Sequence, residues 1–265
     1  MFYRKLFSGS VANYNERRNA SVAYGQSGTI SIFSSQTDVL NQALEEVLST
    51  CGYTCSYDQE TGYLWIDGFP MSIYFTTGCY YRVCLPFSSN MLVNVSNTTN
   101  SPFSSSAAIY QFYITVKGDP DGVLDIYIGT YASPAVTNMT YSFSIGKGKD
   151  LRDQSSIITL STARNYGMYV YKKTGDGIAL PEGLTAPVML NFGFTITSNA
   201  DLTQSGNKIV LVSSIAQTGI FTLDQCYFGC QAFTADCFYN IGGSIYYVRD
   251  NYTIVKCTNT ILQNG

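Results

Sequence analysis

Between positions 35 and 52 the apolar residues Val39, Leu40, Ala43, Leu44, Val47 and Leu48 recur at the spacing that stacks them on one stripe of a 3.6-residue helix. The spacing predicts one amphipathic helix of about four turns. Ser35 or Thr37 is placed to cap the free N–H groups at its start, Asp38 puts a negative charge near the positive helix end, and Gly52 supplies a left-handed stop. Residues 57–67 and 71–85 then alternate and are rich in Tyr, Ile, Phe and Val, so the apolar stripe is expected to lie on a small antiparallel sheet. Residues 59–62 read as a turn, and 68–70 as a second break in the chain. Trp65 alternates with Leu64 and Ile66 and is expected to pack on a sheet face.

Residues 1–34 have little periodic apolar pattern apart from the alternating stretch 29–33, and read as an N-terminal arm. After a Ser-, Asn- and Thr-rich stretch that suits a linker, strand pattern dominates from 107 to the end. Short strands are expected at 109–117, 123–131, 140–145, 156–160, 167–172, 188–197, 208–213, 219–223, 245–249 and 252–257. The first two are joined through Asp119, Pro120 and Gly122, with Pro at the second turn position and Gly122 taking the left-handed one; the last two are joined through Arg249, Asp250 and Asn251. Strands in succession without helical pattern between them read as an antiparallel β-sandwich or jelly-roll. The expected fold is therefore mainly β with a small α+β N-terminal unit, divided into an arm (1–34), an α+β unit (35–96) and an antiparallel β domain (107–265).

Composition narrows the function. Only 12% of residues are charged, about half the usual share, so neutral polar groups and the hydroxyls of 22 tyrosines must keep the surface wet. Surfaces of that kind repel one another little and favour subunit contact. A net charge of −3 with scattered bases offers no footprint for nucleic acid, and the nearest cluster, Arg17 and Arg18 with Arg4 and Lys5 upstream, reads as part of an exposed arm. Histidine is absent, which removes Ser-His-Asp, Cys-His and His-containing zinc sites from this chain. The Met1 start is followed by no apolar run of signal-peptide length, and no window approaches a membrane span of about 18 apolar residues, so cytoplasmic synthesis and no membrane contact are expected. In that compartment the eight cysteines are expected to be buried free thiols; the rival metal reading rests on Cys51/Cys55 and Cys226/Cys230, whose spacing is tolerable, while Cys79/Cys84 is looser.

The remaining constellations are explained by turns. Asp119, Asp121 and Asp125 offer oxygens to calcium but lack the closing glutamate of an EF-hand. The stretch Ile145-Gly-Lys-Gly-Lys-Asp150 has neither the spacing nor the context of a phosphate loop. The carboxylates Asp58, Glu60, Asp67, Asp176 and Glu182 fall mostly in turns, so no catalytic pair, metal or cofactor is expected. Aromatics make up 14% of the chain, and Tyr80, Tyr81, Tyr169, Tyr171, Tyr246 and Tyr247 sit in strand pattern as candidate interface or ligand-stacking residues.

Taken together, the Met1 start, the His-free composition rich in Tyr, Ser, Thr and Asn, the helix-plus-sheet opening and the β-rich second half with its 242–255 ending make the chain resemble minor virion proteins of tailed bacteriophages that infect Gram-positive bacteria. The resemblance implies a non-enzymatic part of the neck, tail or baseplate, a symmetric multimer assembled in the host cytoplasm with copies of itself and other virion proteins. The rival is a carbohydrate- or receptor-binding module, in which Tyr80, Tyr81, Tyr169 and Tyr171 stack on a surface glycan.

Overall fold

The computed structural model describes residues 1–10, 17–21, 29–75, 81–84, 92–94, 109–130, 139–161, 168–175, 177–182, 189–193, 208–212, 220–228, 234–249, 253–258 and 262–264. The N-terminal part holds β1 (Phe2–Ser10), β2 (Arg17–Ser21), β3 (Thr29–Phe33), α1 (Ser34–Thr50), β4 (Cys55–Asp58), β5 (Tyr63–Ile66), β6 (Phe69–Phe75), β7 (Tyr81–Cys84) and β8 (Leu92–Asn94). Beyond it run β9 (Ile109–Gly118), β10 (Val123–Thr130), β11 (Met139–Asp150), β12 (Ser156–Ser161), β13 (Met168–Thr174), β14 (Gly177–Ala179) and β15 (Met189–Gly193). The chain closes with β16 (Lys208–Val212), β17 (Ile220–Phe228), β18 (Phe238–Ile241), β19 (Ser244–Val248), β20 (Thr253–Cys257) and β21 (Leu262–Asn264). The fold is mainly β, with one helix among the described residues and antiparallel pairing nearly throughout.

Helix α1 ends as its sequence dictates. Gly52 takes φ 102°, Gly52 N–H donates to Ser49 C=O at 3.0 Å and Tyr53 N–H to Leu48 C=O at 3.1 Å, which satisfies the last carbonyls in a Schellman motif. Leu40, Ala43, Leu44, Val47 and Leu48 are buried. Asp38 lies beyond the first turn and does not serve the helix end. Its carboxylate accepts hydrogen bonds from the Tyr57 hydroxyl at 2.6 Å and Gln59 Nε2 at 3.0 Å, tying the helix to β4. The expected break at 68–70 is instead a two-residue hairpin turn: Asp67 (φ 49°) and Gly68 (φ 78°) are both left-handed, and Pro70 pairs with Trp65 inside β6.

The 14-stranded sheet found among the described residues branches. Strand β11 pairs β10 over its first part and β17 over Gly148–Asp150, while β17 passes from β11 to β20 along the same edge. Because β11, β12, β13, β15, β16 and β17 are paired in succession, those six strands form a closed circuit of hydrogen bonding. Two limbs leave it: β10, β9, β1 and β21 on one side, and β20, β19 and β18 on the other.

Side-chain alternation gives the sheet two buried faces. On one, Phe112, Ile114, Val116, Leu124, Ile126, Phe143, Ile145, Leu160 and Tyr171 join a single apolar cluster with the helix stripe and with Leu64, Ile66, Phe69 and Met71. On the other, Val123, Ile157, Met168 and Val170 pack with Phe221, Leu223, Tyr247 and Val255.

Two sequence expectations are corrected here. Residues 2–10 are not a free arm: β1 pairs with β9 from Phe2↔Lys117 to Ser10↔Ile109 and, in parallel, with β21. Met1 and Tyr3 are buried in the core, and Arg4 and Lys5 are strand residues. The α+β unit and the large sheet share one apolar cluster rather than separate cores, because the exposed face of β9 and β10 would otherwise leave its own apolar row uncovered. Residues 11–16 and 22–28 of the expected arm lie outside the described residues.

Candidate functional site: a buried polar clasp and its aromatic rim

The 119–122 turn positions the site. Asp119 N–H donates to Val123 C=O at 2.9 Å and Gly122 N–H to Asp119 C=O at 3.1 Å, with Pro120 at the second position as expected. The left-handed residue is Gly118 (φ 119°), not Gly122. Gly122 is needed for another reason: a Cβ there would sit 2.6 Å from the Asp224 carbonyl oxygen of β17. Asp119 is buried, and its carboxylate accepts from the backbone N–H and, at 2.9 Å, the hydroxyl of Thr258, which fixes the chain after β20.

From this turn β10 carries Asp125 and Tyr127 on the face opposite Leu124 and Ile126. Asp125 is fully buried, as is Arg249 just after β19. Arg249 Nε donates to Asp125 Oδ1 at 2.8 Å and Arg249 Nη2 donates to Ser144 Oγ at 3.0 Å, while the Ser144 hydroxyl donates to Asp125. The Tyr247 hydroxyl lies 3.1 Å from Asp125 Oδ2, 3.1 Å from Asp236 Oδ1 and 3.0 Å from the Tyr127 hydroxyl. The Tyr127 hydroxyl donates to Asp236 Oδ1 at 2.8 Å, and Lys117 Nζ stands 3.6 Å from that oxygen and 5.2 Å from the centre of the Tyr127 ring. Strands β9, β10, β11 and β19 and the segment before β18 are thus held by one polar cluster. Its charges are matched in pairs, Arg249 with Asp125 and Lys117 with Asp236. Such a cluster costs desolvation and repays it in register, because Asp125 accepts only one placement of the 234–249 segment.

Beside the clasp is an aromatic rim. The Phe238 ring lies 5.2 Å from Tyr247 and 6.3 Å, edge-on, from Phe2. The Arg4 guanidinium lies 5.6 Å from the centre of the Phe2 ring and 5.8 Å from that of Tyr113, and its Nε donates to Thr115 Oγ1 at 3.0 Å. Phe2, Arg4, Tyr113 and Phe238 are all half-buried.

The tyrosine candidates separate on this frame. Tyr169 and Tyr171 lie in the helix-side core, Tyr171 with its ring edge-on to Phe69 at 5.1 Å, and burial pushes both phenols up from their ordinary pKa. Tyr247 is buried in the clasp, and Tyr246, on the other face of β19, is half-buried. The expectation of a stacking surface is therefore corrected for Tyr169, Tyr171 and Tyr247, whose rings are buried inside the two clusters that the sheet covers. Tyr80 and the Tyr81 side chain lie outside the described residues.

The other candidates have framework roles. Asp125 belongs to Arg249, so the three aspartates of the β9–β10 connection do not converge on a cation. Asp58 closes its own turn through Thr61 and Glu60, and the Thr61 hydroxyl bond holds its carboxyl below the usual range. Asp67 is 3.0 Å from Lys147 Nζ, itself over the Tyr53 ring at 4.5 Å, which joins the small sheet to β11. Asp176 lies outside the described residues. The glycines of the 145–150 stretch serve strand crossing: a Cβ on Gly148 would stand 1.8 Å from the Thr222 carbonyl oxygen, and one on Gly146 2.3 Å from Thr159 Oγ1. Cys51, Cys55, Cys226, Cys237 and Cys257 are free, and burial pushes the Cys51 and Cys55 thiols up to about 12. Cys79, Cys230 and the Cys84 side chain lie outside the described residues.

The clasp and the crossing glycines escaped sequence reasoning. The available signal was polar: Asp125, Ser142 and Ser144 interrupt apolar strands at positions that alternation assigns to one face. Comparison with known proteins finds no matching family model, no matching curated protein and no matching solved structure.

Proposed function

We propose that the chain is a non-enzymatic structural component of a tailed-bacteriophage particle, assembling as one copy of a symmetric multimer in the tail, neck or baseplate after synthesis in the host cytoplasm. The observation that carries this reading is the use made of ionisable groups. Asp125, Arg249, Asp119, Asp38 and Asp67, the acids and base best placed for chemistry, are each engaged in holding one strand or helix to another. A chain without histidine whose strongest polar cluster is a structural lock has the character of a building unit. Packing of the two sheet limbs as a sandwich of jelly-roll type belongs to the same reading, since such layers suit repetitive assembly. Neutral polar groups and half-buried aromatics, rather than charge, would carry the contacts to further copies and to other virion proteins.

Native mass spectrometry of the full chain, together with its detection in purified particles, tests the proposal. A defined multimer that is present in particles is the expected result. A compact monomer at high concentration, missing from particles and retained on a glycan array, would replace it with the carbohydrate-binding reading. Among the described residues no helix is long and apolar enough to cross a membrane.

A further inference from the structure

We propose that the face of β1 and β9 around Arg4 is the self-association site, with Arg4 held as a clamp for a surface carboxylate of a second copy of this chain. The inference rests on the multimeric reading above and gives it an address. A guanidinium offers two flat faces and two hydrogen-bonding edges. The Arg4 guanidinium carbon lies 5.6 Å from the centre of the Phe2 ring and 5.8 Å from that of Tyr113, and its Nε edge is taken by Thr115 Oγ1, the hydroxyl of its cross-strand partner. The end-on fork of Nη1 and Nη2 is left, with no acceptor among the described residues, on a side chain anchored through Nε. That geometry accepts the two oxygens of a carboxylate side by side, at small entropic cost because the side chain is already immobilised.

Among the described side chains Arg4, Lys149, Lys173 and Lys256 stand in no ion pair, and of these Arg4 alone carries a planar fork. The ion pairs among the described residues engage Lys5 with Glu46, Lys117 with Asp236, Lys147 with Asp67 and Asp121, Arg152 with Asp150, Lys172 with Asp153 and Arg249 with Asp125. Arg4 is half-buried yet stands in none of them. Acids outnumber bases by 18 to 15, so a second copy brings surplus carboxylates, among them the exposed Glu60 and Glu182. Arginine ringed by Phe and Tyr is also the composition that dominates binding energy at protein interfaces.

The test uses the full chain as wild type, Arg4→Gln and Arg4→Lys, followed by sedimentation equilibrium. Arg4→Gln is expected to weaken association about tenfold or more with an unchanged thermal melt, and Arg4→Lys to weaken it as well, since an ammonium has charge but no fork. Wild-type association left unaltered in Arg4→Gln overturns the site while the multimer stands. A monomeric wild type removes both. If the substitution disturbs folding, phenylglyoxal footprinting of the wild type decides instead: Arg4 should be protected in the concentrated multimer and modified on dilution, and equal modification in both overturns the site. Loss of affinity only for a free acidic sugar or acetate, with association intact, likewise overturns it.

Discussion

Arg249 and Asp125 are 124 positions apart in the chain and meet at 2.8 Å with neither side chain reaching solvent. A pair so deeply buried gains from mutual attraction about what it loses in desolvation, so its removal as a pair is tolerated far better than the loss of one partner. Arg249→Met is expected to cost about 3–5 kcal/mol, because Asp125 keeps its burial and loses its counter-charge. The double variant Asp125→Leu with Arg249→Met should recover most of that loss. Urea unfolding of the wild type, Asp125→Leu, Arg249→Met and the double variant closes the cycle, and a double variant as unstable as Arg249→Met alone would mean that packing rather than charge sets the cost. Neither role was legible in the sequence. Asp125 sits close enough to Asp119 and Asp121 to pass for a cation ligand, and Arg249 opens a predicted hairpin connection. A partner that distant in sequence leaves no local trace.

Elements were legible where a local cause suffices and illegible where the cause comes from another strand. The helix stripe, its Gly52 stop and the Pro120 turn are written within a few residues of where they act, and all three are found in place. Strand β11 runs on through Lys147 to Asp150, beyond its expected end at 145, because Gly146 and Gly148 are required by the close passage of Thr159 and Thr222. Nothing local distinguishes such glycines from those of a turn. Gly148→Ala is therefore expected to destabilise the protein by about 3 kcal/mol, as its methyl group would meet backbone that cannot yield. Gly175→Ala is the control: φ is +53° and no atom lies within 4 Å, so only the left-handed conformation is penalised, by about 1 kcal/mol. Thermal melts of the two variants distinguish them, and equal losses would show that β17 does not cross β11 so closely.

At the scale of the molecule, the helix that organises the N-terminal sequence is also one wall of the core of the large sheet. Leu44 is buried in the same cluster as Phe112 and Ile126, and β1 enters that sheet beside β9 before the helix begins. Sequence pattern shows which face of each element is apolar but not which other element covers it, and so it divides the chain into two units and an arm where the helix, β1 and one face of the large sheet share a core. The distinction is measurable through Leu44→Asp. A carboxylate on the buried stripe costs several kcal/mol against a total stability of about 5–15 kcal/mol. If the units were independent, the variant would lose its helix while strand signal persisted to the wild-type melting temperature. With a shared cluster, helix and strand signals should fall together in one transition at a lower temperature, because uncovering the Phe112, Ile114 and Leu124 face removes the burial that holds the sheet limb in place. Circular dichroism followed at helix and strand wavelengths, with tyrosine fluorescence as a third probe, reports whether the transitions coincide. Two separated transitions in the variant would restore the boundary between positions 96 and 107.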